Sequence, residues 1–342
     1  MRKTKKKLTY KDSGVNIKTA ENLISPLKRA SGIKNSRMLS IIGGFASLYS
    51  IDIKKYPNPV VVCGTDGVGT KLRIAMKMNK HSTIGQDLLA MCVNDVITCG
   101  ADPVLFLDYL ATSKINLKFH QKVLIGIKKS CEKNNIILAG GETAEMPGFY
   151  KGDEYDLAGF CIGIIDKNKI IDTRKIKQND VVIGIESSGL HSNGYSLINK
   201  LIEKKLISLN HVSYKSKIGN ILLKPTKIYS DVITKIRGKI KGCAHITGGG
   251  ISENLSRILP NGTSARIKIN SWERHDIFKL IQKKANLNDH DMLSTFNCGI
   301  GMIVVVQNKY KDNVIKDCNK LNYKTYEIGF ITRGTRSKVI YE

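Results

Sequence analysis

The stretch VVVCGTDGVGTKL, residues 60–72, carries an apolar strand into a glycine-spaced acidic turn and leaves on a basic residue. Two common phosphate-binding templates fail on it. A Walker loop needs lysine directly after its last glycine and then serine or threonine, whereas Gly69 is followed by Thr70 and then Lys71. A dinucleotide-binding turn needs another glycine three positions after Gly69, and Leu72 stands there. What remains is Asp66 at a strand end, with Gly67 and Gly69 free to take backbone conformations that bring amides close to a ligand. A carboxylate beside such amides repels phosphate unless a cation lies between them, and magnesium, held by one or two carboxylates plus substrate phosphates, is the natural mediator. The alternative is a tight turn capped by aspartate.

Working outward, apolar runs and amphipathic stretches alternate. VVVCG reads as a buried strand, TIGQDLLAMCVNDVITCGA as a helix, PVLFLDYLAT as a strand, KFHQKVLIGIKKSCEKNN as a helix, and IILAGG and DLAGFCIGII as strands. The polar, basic KNKIIDTRKIKQN, residues 167–179, suits a domain junction. A second alternation follows, with strands in DVVIGIESS, TSARIKI, GMIVVV and, last, KTYEIGFIT, and helices in GYSLINKLIEKK, ISENLSRIL and WERHDIFKLIQKKA. The expected fold is α/β (α+β) with two mixed-sheet domains, residues 58–170 and 171–342, behind an extension at 1–57 holding an early helix with Asn16 as its cap.

Composition bounds the function. At 342 residues, with 42% hydrophobic and 25% charged residues, the chain can build two cores, which excludes wholesale disorder. Lys and Arg number 55 against 29 Asp and Glu, a net charge of +26 that favours anionic partners. Only 6% of residues are aromatic, which argues against a surface that stacks on bases, so no specific nucleic acid is expected and a small phosphorylated substrate is. The eight cysteines show no zinc spacing and read as small buried hydrophobes in a reducing compartment. The basic start precedes no apolar signal run and no stretch reaches membrane-spanning length, so a cytoplasmic protein without membrane partners is expected.

Other polar turns join the first. CVNDVITCGADP sets Asn94 and Asp95 at the border of a helix's packed side, and LAGGETAEMPG ends an apolar strand in Gly140 and Gly141 before Glu142. Strand ends of α/β sheets are where ligands collect. ESSGLHSNGYSL offers Ser192 and Asn193 as donors near a helix start, with His191 beside them, and AHITGGGISEN puts His245 and Thr247 ahead of Gly248. Histidines beside such turns suit anion contact or proton transfer. Cys298 in TFNCGIGM reads as a buried thiol.

Taken in order, GTDGVGTKL, MCVNDV, FLDYLAT, GGETAEMPG, SSGLHSNGYSL, HITGGG and TFNCGIGM resemble the phosphoribosylformylglycinamidine cyclo-ligases, or aminoimidazole ribonucleotide synthetases, over nearly the whole chain. Leu190 departs from the family pattern, where proline is common. The resemblance implies a homodimer that pairs its N-terminal sheets, and ring closure of formylglycinamidine ribonucleotide to 5-aminoimidazole ribonucleotide with ATP and Mg²⁺ in purine biosynthesis. It implies Asp66 and Asp95 as metal acids, with Glu142 a further acid at the nucleotide. Gly67, Gly69 and Thr70 would contact ATP, while Lys71 and Lys28 would supply phosphate charge. His191 and His245 would move protons, and Ser192, Asn193, Thr247 and Gly248 would hold the ribonucleotide. Two other readings compete: another phosphoryl-transfer enzyme of the same superfamily, and a basic nucleic-acid-binding protein.

Overall fold

The computed structural model describes residues 9, 12–29, 36–40, 43–213, 215–334 and 338–342. The first half runs α1 (Ile17–Arg29), β1 (Pro59–Gly67), α2 (Lys71–Met78), α3 (Ile84–Val96), β2 (Asp102–Thr112), α4 (Leu117–Lys133), β3 (Ile137–Glu145) and β4 (Tyr155–Asp166). The second runs β5 (Val181–Glu186), α5 (Tyr195–Glu203), a hairpin of β6 (Val212–Ser213) and β7 (Ser216–Lys217), α6 (Ile218–Leu222), α7 (Ser230–Ile236), β8 (Ile240–His245), α8 (Gly250–Ser256) and β9 (Thr263–Ile267). It closes with α9 (Asp276–Ala285), α10 (Asp289–Thr295), β10 (Ile300–Val306), α11 (Lys311–Lys320), β11 (Thr325–Arg333) and β12 (Lys338–Tyr341).

Each half is built on one mixed sheet. The first has strand order β1-β4-β2-β3, antiparallel except for the β2/β3 pair. The second has order β12-β9-β11-β5-β10-β8, antiparallel except for β12/β9. β10 is buried along its whole length, as its unbroken apolar run requires. β1 differs from expectation. Its burial alternates, so Val60 and Val62 turn toward the core while Val61 is 53% exposed on a bare sheet face. Cys63 shares that face and is exposed, and Cys99 is only partly buried, so these two depart from the buried-thiol reading. Cys298 fits it, with burial pushing its thiol up to about 12.

Three boundaries also moved. β3 continues through Gly140 and Gly141 to Glu145, because pairing with β2 persists to the last residue. α9 starts at Asp276, since the Trp272 indole is buried and donates to the Cys298 carbonyl. β12 follows β11 and pairs with β9. The Asn16 cap is present, its side chain accepting from the Thr19 amide.

α3 lies at the junction of the halves and is buried on nearly every side, which suits its high apolar content. It carries one buried carboxylate, Asp87, and that group meets Lys71 from the first turn of α2 at 2.8 Å with both side chains fully buried. The ammonium also donates to the carbonyls of His191 (2.8 Å) and Lys224 (2.9 Å) in the second half. Asp87 Oδ1 further accepts from the Thr226 amide and hydroxyl at 2.8 and 2.7 Å. Two charges removed from water are tolerated here because all three ammonium protons and one carboxylate oxygen find partners on the spot. Breaking the pair from one side leaves an uncompensated charge, so Asp87→Asn is expected to cost about 3–5 kcal/mol. The double variant Lys71→Met/Asp87→Asn should recover part of that loss, as read from urea midpoints of the four proteins.

Candidate active site at the junction of the two halves

The site begins with a close approach. Gly64 of β1 lies against α3, where an added Cβ would stand 3.0 Å from Val96 and 3.8 Å from the Asp95 Cβ. Asp66, two residues on and therefore on the same face, is thereby brought alongside Asp95. Burial raises the Asp66 carboxyl above its ordinary value, the Gly67 amide donating at 2.7 Å works against that, and the negative Asp95 adds to it. Asp66 and Asp95 thus converge as the sequence suggested, on the N-terminal side of the junction.

His245, the last residue of β8, comes from the other half. Its Nδ1 donates to Asp95 Oδ1 at 2.8 Å, since an ionised carboxylate can only accept. Nε2 is then the acceptor, 3.4 Å from the amide nitrogen of Asn94. Asn94 is itself pinned, donating to the Lys227 carbonyl at 2.8 Å and accepting from the Tyr229 amide at 3.1 Å. The side chains of His245 and Asp95 are 2% and 46% exposed, so the carboxylate faces solvent and the imidazole stands behind it. His245 thus holds Asp95 through Nδ1, with its own ring almost fully buried behind the carboxylate.

The loop between β5 and α5 is tied inward. Ser187 Oγ donates to the Gly189 carbonyl and Ser188 Oγ to that of Pro225. The Ser192 hydroxyl is engaged with Asp87 (3.4 Å) and Thr226 (3.1 Å), which takes it from the phosphate contact expected of it. His191, at φ +60°, is fully buried; its Nε2 accepts from the Ser188 amide and Nδ1 has no partner among the described residues. Burial first, then His245, then the positive Lys71 and Lys227, hold its pKa well below the ordinary imidazole value, and the ring is shut off from solvent. The ring expected to move a proton is therefore packed inside the loop rather than facing the junction's solvent. The Asn193 amide nitrogen is also buried without a partner among the described residues, and its Oδ1 lies 3.8 Å from where a Cβ on Gly248 would stand. Asn193 and Gly248 are therefore adjacent. Thr247 caps the same turn by donating to Asn254, which in turn donates to the Gly248 carbonyl.

Gly67, Gly69 (φ +65°) and Thr70 line the turn into α2. Lys71 does not join them, because its three ammonium protons are all consumed at the junction. Glu142 also departs. Asp66, Gly159, Asp108 and Gly141 form one row across the sheet, so Glu142 stands three strands from Gly67, about 14 Å at the usual strand spacing. It lines a separate cavity of about 560 Å³ with Glu21 and Ile24 of α1, Asp108, Tyr109 and Phe160. α1 carries Lys28, whose side chain lies outside the described residues.

Two participants escaped the sequence. Asp87 sat unremarked in a helical pattern. Asp108, on β2 in the motif FLDYLAT, is 6% exposed beneath Gly141, where any side chain would collide with its Oδ1 at 2.4 Å. Desolvation pushes its carboxyl up to about 7. Among the described residues no three His, Cys, Asp or Glu are arranged to hold a metal, and no helix is long and apolar enough to cross a membrane.

The two linked α/β halves and their convergent acidic turns define an aminoimidazole ribonucleotide synthase related protein. The family model described as AIR synthase related protein, N-terminal domain, matches residues 48–165, and its C-terminal counterpart matches 177–342. The chain belongs to the phosphoribosylformylglycinamidine cyclo-ligases. It is 49% identical to the one from Caldanaerobacter subterraneus, over 96% of this chain and 98% of that one, and 43% identical to that of Prochlorococcus marinus, over 97% of each. Its fold is shared by a thiamine-monophosphate kinase from Stenotrophomonas maltophilia, with a TM-score of 0.70 at 16% identity over 94% and 96% of the two chains. Hydrogenase maturation protein HypE, solved in complex with ATP, gives 0.68 at 14% identity over 94% and 91%.

The raised acid makes a test of its own. An acid whose folded pKa lies above its unfolded value binds more protons when folded, so its ionisation costs stability as pH rises from about 4 toward 7. Asp108→Asn should therefore stabilise the protein at pH 8 and leave it little changed at pH 4, a difference of a few kcal/mol at about 1.4 kcal/mol per pH unit, measured by urea unfolding.

Proposed function

We propose that this chain closes the imidazole ring of 5-aminoimidazole ribonucleotide from formylglycinamidine ribonucleotide, at the expense of ATP. The observation that carries the site assignment is the meeting of Asp66 and Asp95 at the junction, with His245 of the second half fixing Asp95 from behind. ATP phosphorylates the formamide oxygen, making a leaving group of it. The ribose-bearing amidine nitrogen attacks the activated carbon, the C–O bond to phosphate breaks, a proton is lost from nitrogen, and ADP and phosphate are released.

Magnesium fits the pair of acids. Both are hard oxygen donors, and the Asp66 carboxyl is raised by burial and then by the negative Asp95, with His245 offsetting part of that charge. When bound, the ion would neutralise charge on the transferring phosphoryl group. The chain's own part is positioning. The backbone of Gly67, Gly69 and Thr70 approaches the nucleotide, Asp66 and Asp95 hold the cation, and His245 keeps Asp95 in one orientation. Asn193, Thr247 and Gly248 form the opposing turn that receives the ribonucleotide, where the unpaired Asn193 amide offers the free donor. Glu142 serves the nucleotide only if a second copy brings its cavity to another chain's Asp66, because within one chain three strand spacings separate them.

A homodimer is consistent with the bare sheet face. Val61, Cys63 and Phe160 are exposed there beside Ile162, Leu107 and Tyr109, an apolar surface of the kind that marks interaction sites. Phe160→Glu should yield a folded monomer by light scattering. A dimer that survives the change would place the interface elsewhere.

The decisive assay incubates the protein with formylglycinamidine ribonucleotide and Mg-ATP and quantifies aminoimidazole ribonucleotide and phosphate together. Equal amounts are expected, with Asp66→Asn abolishing both. Failure of a folded wild-type protein to make either product would sink the substrate assignment, and phosphate without the ring would favour another phosphoryl-transfer reaction.

A further inference from the structure

The Lys71 ammonium belongs at once to the nucleotide turn and to the ribonucleotide turn. It is the first residue after Gly67–Thr70, and its nitrogen donates to the backbone of His191 within the loop 187–194 and of Lys224 beyond it. The same turn is tied twice more. Asn199 of α5, 2% exposed, donates its amide to the Thr70 carbonyl at 2.9 Å, and the Thr70 hydroxyl lies 3.2 Å from that of Ser196. Asp87 completes the knot, since its Oδ1 takes Lys71, Thr226 and the Ser192 hydroxyl together. A buried ammonium with all three protons directed at fixed acceptors has no rotational freedom left. Moving the glycine turn must therefore move the His191 carbonyl or break a bond that no water replaces.

We infer that Lys71 is a positioning residue that couples occupancy of the glycine turn to occupancy of the loop carrying Asn193, so that each substrate raises the other's affinity. The inference rests on the assignment of these two turns to ATP and to the ribonucleotide. It assigns Lys71 no contact with either ligand. Coupling between two sites is reciprocal, so one titration in each direction measures the same factor twice.

The experiment titrates the wild-type protein with the non-hydrolysable analogue AMPPCP and Mg²⁺ in a calorimeter, with and without saturating formylglycinamidine ribonucleotide. The analogue's Kd is expected to fall at least ~5-fold when the ribonucleotide is present, the lower end of ordinary coupling. In Lys71→Met/Asp87→Asn, which leaves no buried charge unpaired, the ratio should drop to near one while each ligand alone still binds. Asn199→Leu, which cuts the Thr70 tie and keeps the ion pair, should lower the ratio to an intermediate value. A merely structural role would reduce stability or both affinities and leave the ratio intact. Either variant, folded and retaining the wild-type ratio, overturns the inference, as does a wild-type ratio of one. A wild-type protein that binds neither ligand instead overturns the functional reading on which it rests.

Discussion

The buried pair of Lys71 and Asp87 is the constraint around which the two halves are organised. Charges are expensive to bury, and burial alone pulls the lysine's pKa down while Asp87 holds it up. Replacing such pairs with apolar residues of similar volume is often neutral for stability, so stability alone does not explain the pair. Direction does. An apolar contact slides, whereas an ammonium with acceptors on α3, on the loop before α5 and on the segment before α7 admits one arrangement of these elements. The second oxygen of Asp87 is left without a partner among the described residues, a cost borne at a position where register outweighs it.

That arrangement accounts for where the acids fall. With α3 held across the junction, its C-terminal end delivers Asn94 and Asp95 to β8, and the last residue of β8 is His245. On the other side α3 lies against β1 through Gly64, which puts Asp66 beside the same pair. Three residues far apart in sequence thus meet because one helix touches both sheets. The candidate site lies in the junction itself, rather than beside it.

Much of this was legible in the sequence. Most strands follow from apolar runs, and Asp66 and Asp95 follow from glycines and helical spacing near strand ends. What failed did so for physical reasons. A lysine after a glycine turn looks like a phosphate ligand, and its real partners are a helix carboxylate 16 residues on and two carbonyls 120 and 153 residues further on. A histidine in a polar turn looks exposed, yet the turn around His191 folds its hydroxyls onto neighbouring carbonyls and buries the ring. Glu142 looks equivalent to Asp66 because both follow strands with glycines, but strand order is a tertiary fact and puts them at opposite edges of the sheet. β1 reads as buried because its apolar run is continuous, and only the bare face shows that half of that run looks outward.

The charge of the chain and the charge of its site run in opposite directions. The protein carries +26 overall, yet the described side chains converging at the junction and in the neighbouring cavity include Asp66, Asp95, Asp108, Glu21 and Glu142. A surface field of that sign attracts anionic substrates over distances up to about a Debye length, roughly 8–10 Å in physiological salt. At contact the acids would repel the same phosphates. A divalent cation carried with the nucleotide would remove the conflict, since the field would act on the net anion and the carboxylates on the metal. Burial first, and then the neighbouring Asp95, raise the Asp66 carboxyl, while the Gly67 amide and His245 pull it back down.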